Sequence, residues 1–234
     1  MPRGRAANYE TTREQILARA AELFARQGYT ATSMNQVATA CGVSKPSLYH
    51  YVRDKYQLLV EIAQDHIARL KALVTTVEAE QAATPEARVR RLIEVFIAAY
   101  ADSQAAHRVL TEDVKFLDDT DRDRILGGQR EVVAAFAKAI AAARPELQQA
   151  EMDKPLTMLL FGMMNWMFTW LRTDGALTHA AMGPVVADLF FGGLASVRLS
   201  CPPSAAQDAA PARAQVSAGC RSTVPTLSNA DPHP

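Results

Sequence analysis

Cysteine is scarce in this chain, with three residues in 234, and Cys41, Cys201 and Cys220 are far apart. An odd and scattered set offers no disulfide framework and fits a reducing compartment. Net charge is lacking as well: Lys+Arg 25 is balanced by Asp+Glu 25. That balance excludes a general polycation but leaves room for a locally basic segment. No apolar run reaches the roughly 20 residues of a membrane span. The nearest, Leu156 to Leu171, is interrupted by Thr157, Asn165 and Thr169 and reads as a buried helix. The opening Met-Pro-Arg-Gly-Arg has no apolar core of a signal peptide. The expectation is a soluble, cytoplasmic protein.

Catalytic constellations are missing too. His50, His66, His107, His179 and His233 show no metal spacing with cysteine or carboxylate, and there is no G-x-S-x-G and no glycine-rich phosphate loop. Asp118, Asp119, Asp121 and Asp123 lack the glycine and terminal glutamate of a calcium loop. They read instead as a helix start, with Thr120 as cap and Asp123 in the first turn. No catalytic residue, metal or cofactor is expected.

What is present is helical periodicity. Hydrophobic residues make up 49% of the chain, enough for a packed core. Six of the 12 prolines fall in Ser200 to Pro234 together with alanine and serine, so 200–234 reads as a disordered tail. Apart from Pro2, the other prolines, at 46, 85, 145, 155 and 184, sit where helices are expected to begin or stop. Between them the 3.6-residue period predicts helices over 16–27, 34–41, 45–51, 58–77, 86–102, 104–117, 121–143, 153–172 and 180–198. No segment alternates with period two. The reading is all-α, with about nine helices. Gly127-Gly128 inside the seventh is expected to mark a kink near a pocket.

The first sixty residues carry the sharpest pattern. Met34–Cys41, capped by Ser33, and Lys45–Tyr51, capped by Ser44, are two short helices joined by a turn through Gly42, a helix-turn-helix. Helix 16–27 ends at Gly28 and completes a three-helix core through Leu23 and Phe24. The second short helix leaves one face free for a major groove. Residues 1–56 hold eight basic and four acidic side chains, a net +4 that suits phosphate contact.

This stretch resembles the TetR family of bacterial transcriptional regulators. The residues that carry the likeness are Arg13-x-x-Ile16, Ala20-Ala21-x-Leu23-Phe24, Gly28-Tyr29-x-x-Thr32-Ser33, Val37-Ala38, Gly42-Val43-Ser44, Leu48-Tyr49-x-Tyr51 and Lys55-x-x-Leu58-Leu59. Pro46 and Val52 depart from the family pattern, at positions that spare the groove-facing side. The resemblance implies phosphate contacts from Ser33, Tyr49 and Lys55, and base-edge contacts from Lys45, Ser47 and His50. It also implies a palindromic DNA operator bound by a homodimer, with repression as the family habit. The organisation expected is a flexible basic 1–8, a DNA-binding domain over 9–69, a helical ligand-binding and dimerisation domain over 70–199, and the tail.

Within the second domain, Met152, Leu156, Leu159, Met163, Trp166 and Trp170 form one stripe of a helix. Leu160, Met164, Met167, Leu171, Phe161 and Phe168 widen it, leaving Met158, Gly162, Asn165 and Thr169 as a small or polar slice. So wide an arc needs cover on two sides. One face is expected to meet a symmetry mate, through Phe161, Phe168 and the last helix's Val186, Leu189, Phe190 and Leu194. The other is expected to line a cavity, with Met163, Trp166, Met167 and Trp170 facing Phe96, Tyr100 and Phe116. The string from Phe161 to Gly175 resembles TetR regulators that respond to acyl-CoA thioesters. Its implied effector is a small hydrophobic molecule of that class, its phosphates met by Arg122, Arg124, Arg130 or Arg172. The alternatives are a drug-responsive repressor of efflux genes and a helical ligand-binding protein that leaves DNA alone.

Overall fold

Ten α-helices and one 3₁₀ turn account for the regular structure of this computed structural model over its described residues, 3–149, 151–171 and 177–197, with no strand among them. In chain order they are α1 (Arg3–Gln27), α2 (Met34–Ala40), α3 (Lys45–Leu48), α4 (Lys55–Ala79), α5 (Pro85–Asp102), α6 (Gln104–Glu112), the 3₁₀ turn Val114–Phe116, α7 (Asp119–Ala143), α8 (Pro145–Gln149), α9 (Asp153–Trp170) and α10 (His179–Ala195). The expected tail at 200–234, Arg172, and the side chains of residues 3–8 and of Phe168 lie outside the described residues. No described helix is long and apolar enough to cross a membrane.

Helix starts follow local chemistry. Ser33, Ser44, Asp54, Thr84, Asp118 and Thr178 each accept, through the side chain, the backbone N–H three residues on. Three expectations are corrected here. The cap of α7 is Asp118, which accepts from Asp121 N at 2.8 Å, not Thr120. α1 begins at Arg3 and takes in most of the stretch expected to be a flexible arm. Pro184 lies inside α10 rather than at its end. The short α8, with Leu147 buried, had no periodicity to announce it.

The core runs along α4, α5, α7 and α9. Phe96 and Phe136 meet edge to face at 4.8 Å, and Phe136 meets Phe161 at 4.9 Å. Rings so placed gain beyond their buried area. α7 runs unbroken through Gly127-Gly128. Gly128 is a contact point: a Cβ there would stand 2.9 Å from Ile67 Cγ1 on α4. α4 also crosses the boundary expected at residue 70 without a break, so one rigid helix belongs to both halves. Arg13 of α1 is held to Glu61 of α4 at 2.9 Å.

Candidate nucleic-acid interface and ligand cavity

α2 and α3 form the helix-turn-helix. The turn between them needs a left-handed residue, supplied by Gly42 at φ 66°. Val43 N then donates back to Ala38 O at 3.0 Å. α3 proper is one turn, Pro46 sits in its first turn, and backbone bonds from Tyr49, His50, Tyr51 and Val52 continue it as a tight coil rather than a helix to Tyr51. Leu48 and Val52 are fully buried against the headpiece core. Lys45, Tyr49 and His50 are exposed together, with Ser47 half-buried beside them. Ser33 is exposed but works as a cap: its Oγ accepts from Gln36 N at 3.3 Å while Gln36 Oε1 accepts from Ser33 N at 2.8 Å. Sequence reasoning missed Tyr9, which stacks on Tyr51 at 4.8 Å and donates its hydroxyl to His50 O at 3.3 Å. It lies ahead of the expected helix start, so nothing in the periodicity pointed to it.

Lys55 does something other than expected. Its ammonium donates to the carbonyl oxygens of Tyr29 at 2.9 Å, Thr30 at 3.2 Å and Thr32 at 2.9 Å, and lies 4.6 Å from the centre of the Tyr29 ring. All three N–H donors are spent. Lys55 therefore pins the loop that follows Gly28, in place of the phosphate contact assigned to it.

Below the headpiece, α4, α5, α6, α7, α8 and α9 enclose a cavity of 1030 Å³. Its inner wall includes Ile67, Leu70, Tyr100, Leu110, Val132 and Phe161, all buried. Exposed Arg130, Lys138 and Lys154 stand at its rim, with Asp153 the one acid lining it among the described residues. None of these three cations has a carboxylate within the ion-pair distance of 4.0 Å among the described residues. Arg122 and Arg124 are by contrast committed to Asp119 (2.5 Å) and Asp121 (3.0 Å).

Of the seven side chains expected to line a cavity, only Tyr100 does. Phe96 and Met167 are packed in the core, and Met163 is half-buried outside the cavity. Phe116 lies under the headpiece, 5.4 Å from the Tyr29 ring. Trp166 and Trp170 point outward, Trp166 being 68% exposed. Two residues of the slice of α9 that looked small and polar, Met158 and Asn165, face the cavity instead, together with Phe161 of the apolar arc. Phe161 was expected at a subunit interface. Val186, Phe190 and Leu194, expected there too, are buried within this chain, where α10 packs on α5. Leu189 keeps its expected exposure at 64%. It shares the outer surface of α9 and α10 with Val185, Trp166, Trp170 and Leu159, the last 65% exposed.

A polar cluster reaches the inner wall. His66 Nε2 lies 3.2 Å from His107 Nδ1, and His107 stacks on Tyr100 with ring centres 3.7 Å apart. Burial, and then Arg69, lowers the His66 pKa to about 4. Burial, and then His66, lowers that of His107 to about 3, opposed by the Asn165 amide beside it. Both rings are neutral at physiological pH. Burial also drives the Tyr100 phenol well above its ordinary range.

Residues 16–62 match the family model of bacterial regulatory proteins, tetR family, and residues 82–194 match the tetracyclin repressor-like C-terminal domain. A TetR-family transcriptional regulator from Bordetella parapertussis 12822 superposes with a TM-score of 0.74 at 32% identity, covering 80% of this chain and 98% of that one. The chain belongs to the TetR family. As in that family, an N-terminal helix-turn-helix of a DNA-binding transcriptional regulator precedes a helical C-terminal domain. The transcriptional activator FasR of Mycolicibacterium smegmatis is 31% identical over 116 residues, 47% of this chain and half of its own length. AibR, solved in complex with isovaleryl coenzyme A and operator DNA, shares the fold at a TM-score of 0.65 and 23% identity, covering 76% of this chain and 97% of its own.

Proposed function

We propose that this TetR-family regulator is a homodimeric repressor that leaves a palindromic operator when an amphipathic effector, an acyl-CoA thioester, enters the cavity. The observation that carries this reading is the cavity itself: apolar walls within, and Arg130, Lys138 and Lys154 at the rim with no carboxylate within 4.0 Å among the described residues. Apolar walls favour a hydrocarbon body, and a cluster of cations favours a phosphate-bearing head. AibR, of the same fold, was solved with isovaleryl coenzyme A and operator DNA, which supports the assignment.

The exposed apolar surface of Leu159, Trp166, Trp170, Val185 and Leu189 supports pairing through α9 and α10. In such a dimer the two α3 segments enter successive major grooves about 34 Å apart. Lys45, Ser47 and His50 then face base edges, while Tyr49 and Ser33 reach phosphates. Switching runs through α7, which walls the cavity and is tied at its start to α4. The Tyr56 hydroxyl donates to Asp121 Oδ2 at 3.0 Å and accepts from Asp118 N at 3.0 Å. An effector that wedges α7 outward carries the start of α4, and the helix-turn-helix with it, out of groove spacing. Its leverage equals its differential affinity for the two geometries.

The experiment is an anisotropy titration of a labelled fragment from upstream of the protein's own gene. Octanoyl-CoA is expected to release the fragment, with octanoate and coenzyme A each inactive alone. The double variant Arg130→Glu, Lys138→Glu is expected to need at least about tenfold more thioester. Equal action of thioester and free acid overturns the head-group assignment. Release by a hydrophobic drug alone moves the protein to efflux control. Absence of binding to any fragment near the gene overturns the operator reading.

A further inference from the structure

A second pocket, of 270 Å³, lies beside the cavity across a ridge of α7. Val74 of α4 and Leu92 of α5, both buried, line it with Ala135 and Ala139 of α7. Lys138 and Ala142 line both spaces and are exposed. At 100° per residue these two form a crest, with Ala137 and Ala141 on the cavity side and Ala135 and Ala139 on the pocket side. Apart from Lys138 the crest is alanine, low enough for an extended chain to cross. The pocket also encloses a cation. α5 carries arginines at 88, 90 and 91. Arg90 is tied to Glu86 at 2.9 Å and Asp188 at 2.7 Å, and Arg91 to Glu80 at 3.2 Å and Glu94 at 3.6 Å. Half-buried Arg88 lines the pocket with no carboxylate within 4.0 Å among the described residues, although exposed Glu78 lines the same pocket. A cation partly withdrawn from water without a counter-charge is costly, and an anionic ligand offsets that cost.

We propose that this second pocket holds the 3′-phosphorylated adenosine end of an acyl-CoA effector, with Arg88 gripping the 3′-phosphate. The inference rests on the reading of the cavity as an acyl-CoA site and supplies its far end. A CoA thioester is a line of parts: acyl chain, pantetheine, diphosphate, then a ribose 3′-phosphate and its adenine. With the acyl chain inside the cavity, Arg130, Lys138 and Lys154 at the rim meet the diphosphate. The nucleotide then lies beyond Lys138, where the second pocket begins. A guanidinium presents paired N–H donors that phosphate oxygens accept side by side. Alanine walls beside Val74 and Leu92 take the flat base, which gains by burying its faces against apolar surface.

The test uses octanoyl-CoA and octanoyl-dephospho-CoA, which differ only by the 3′-phosphate. Both are titrated by calorimetry into the full chain as wild type, Arg88→Gln, Arg88→Lys and Arg91→Gln, with far-UV circular dichroism to establish that each variant is folded. Wild type is expected to favour octanoyl-CoA by at least about tenfold. In R88Q the preference collapses to within about twofold while the affinity for octanoyl-dephospho-CoA holds. In R88K, which keeps the charge but not the paired donors, it falls part of the way, and R88K carries the comparison if R88Q fails to fold. R91Q keeps the wild-type preference. A wild type indifferent to the 3′-phosphate, or a preference unchanged in R88Q, overturns the proposal. If the preference holds while octanoyl-CoA fails to release operator DNA, the effector reading falls and the pocket stands. If both thioesters release DNA equally well, the pocket alone falls. Should neither thioester bind, adenosine 3′,5′-bisphosphate decides: binding that R88Q abolishes keeps the nucleotide pocket without the thioester, and no binding overturns both.

Discussion

Replacing Lys55 by methionine separates two roles that the residue could play. Methionine keeps the aliphatic stem and removes only the ammonium, with its bonds to Tyr29 O, Thr30 O and Thr32 O. A hydrogen bond to a charged group contributes about 1.5–3 kcal/mol, and the contact with the Tyr29 ring adds about 0.5–1 kcal/mol. The side chain is half-buried, so water reaches the freed carbonyls in part, and the net loss is expected near 2–3 kcal/mol rather than the sum. For a chain of this size each kcal/mol moves the melting temperature by about 2–4 °C, so Lys55→Met is expected to melt about 4–12 °C below wild type. Circular dichroism at 222 nm reads that shift. Operator affinity measured against salt supplies the second axis. If the ammonium is spent on carbonyls, the salt slope stays at the wild-type value even as affinity falls. A phosphate contact would lower the slope by about 1. A variant that melts within about 1 °C of wild type with the slope reduced refutes the structural role.

Gly128→Ala is expected to destabilise by about 1–3 kcal/mol, because its Cβ would meet Ile67 Cγ1 at 2.9 Å. Its neighbour Gly127→Ala, whose nearest atom is Arg130 Nη2 at 3.8 Å, should instead gain about 0.5–1 kcal/mol from helix propensity; urea melts of the pair check both signs. Leu189→Glu is expected to yield a folded monomer by sedimentation equilibrium, while adjacent Phe190→Ala, buried against α5, should stay dimeric and lose about 3–5 kcal/mol. Stability should fall on acidification below about pH 6.5, because the unfolded chain binds protons that folded His66 (pKa about 4) and His107 (pKa about 3) refuse. Each ring then costs about 1.4 kcal/mol per pH unit down to its folded pKa. Urea melts at pH 7, 6 and 5 should show a steeper decline in wild type than in His66→Phe; parallel declines refute the assignment.

The helix-turn-helix was legible because everything that makes it is local. Gly42 must turn left-handed, Ser33 and Ser44 cap the next three residues, and Leu48 and Val37 are spaced to meet one core. The start of α1 was not legible, since residues 9–15 are polar and charged and carry no apolar stripe, whereas its end at Gln27, before Gly28, was. Lys55 was misread for the same reason in reverse. Its partners are backbone carbonyls more than 20 residues away in sequence, and no pattern of side chains reports where carbonyls point.

α9 shows where periodicity stops being informative. Its arc is apolar over so much of the circumference that the hydrophobic pattern demands two partners without saying which face each one takes. Tryptophan and methionine suggested the cavity, yet Trp166 and Trp170 are outside, and the cavity takes Met158, Phe161 and Asn165. The physical difference lies in what each partner supplies. A second copy of the chain would bring a dry apolar surface, so residues facing it would gain by being large and mainly apolar, as the exposed Leu159, Trp166 and Leu189 are. A chamber for a dissolved molecule must leave volume and must recognise the polar atoms that make the molecule soluble, so the residues facing it are the odd ones in an apolar helix. Asn165 is the one amide in that stretch, and it meets a second polar side chain, His107 of α6, at the cavity wall. In a helix of this kind the polar slice, set aside as the remainder after the apolar stripe is drawn, is the better guide to the ligand.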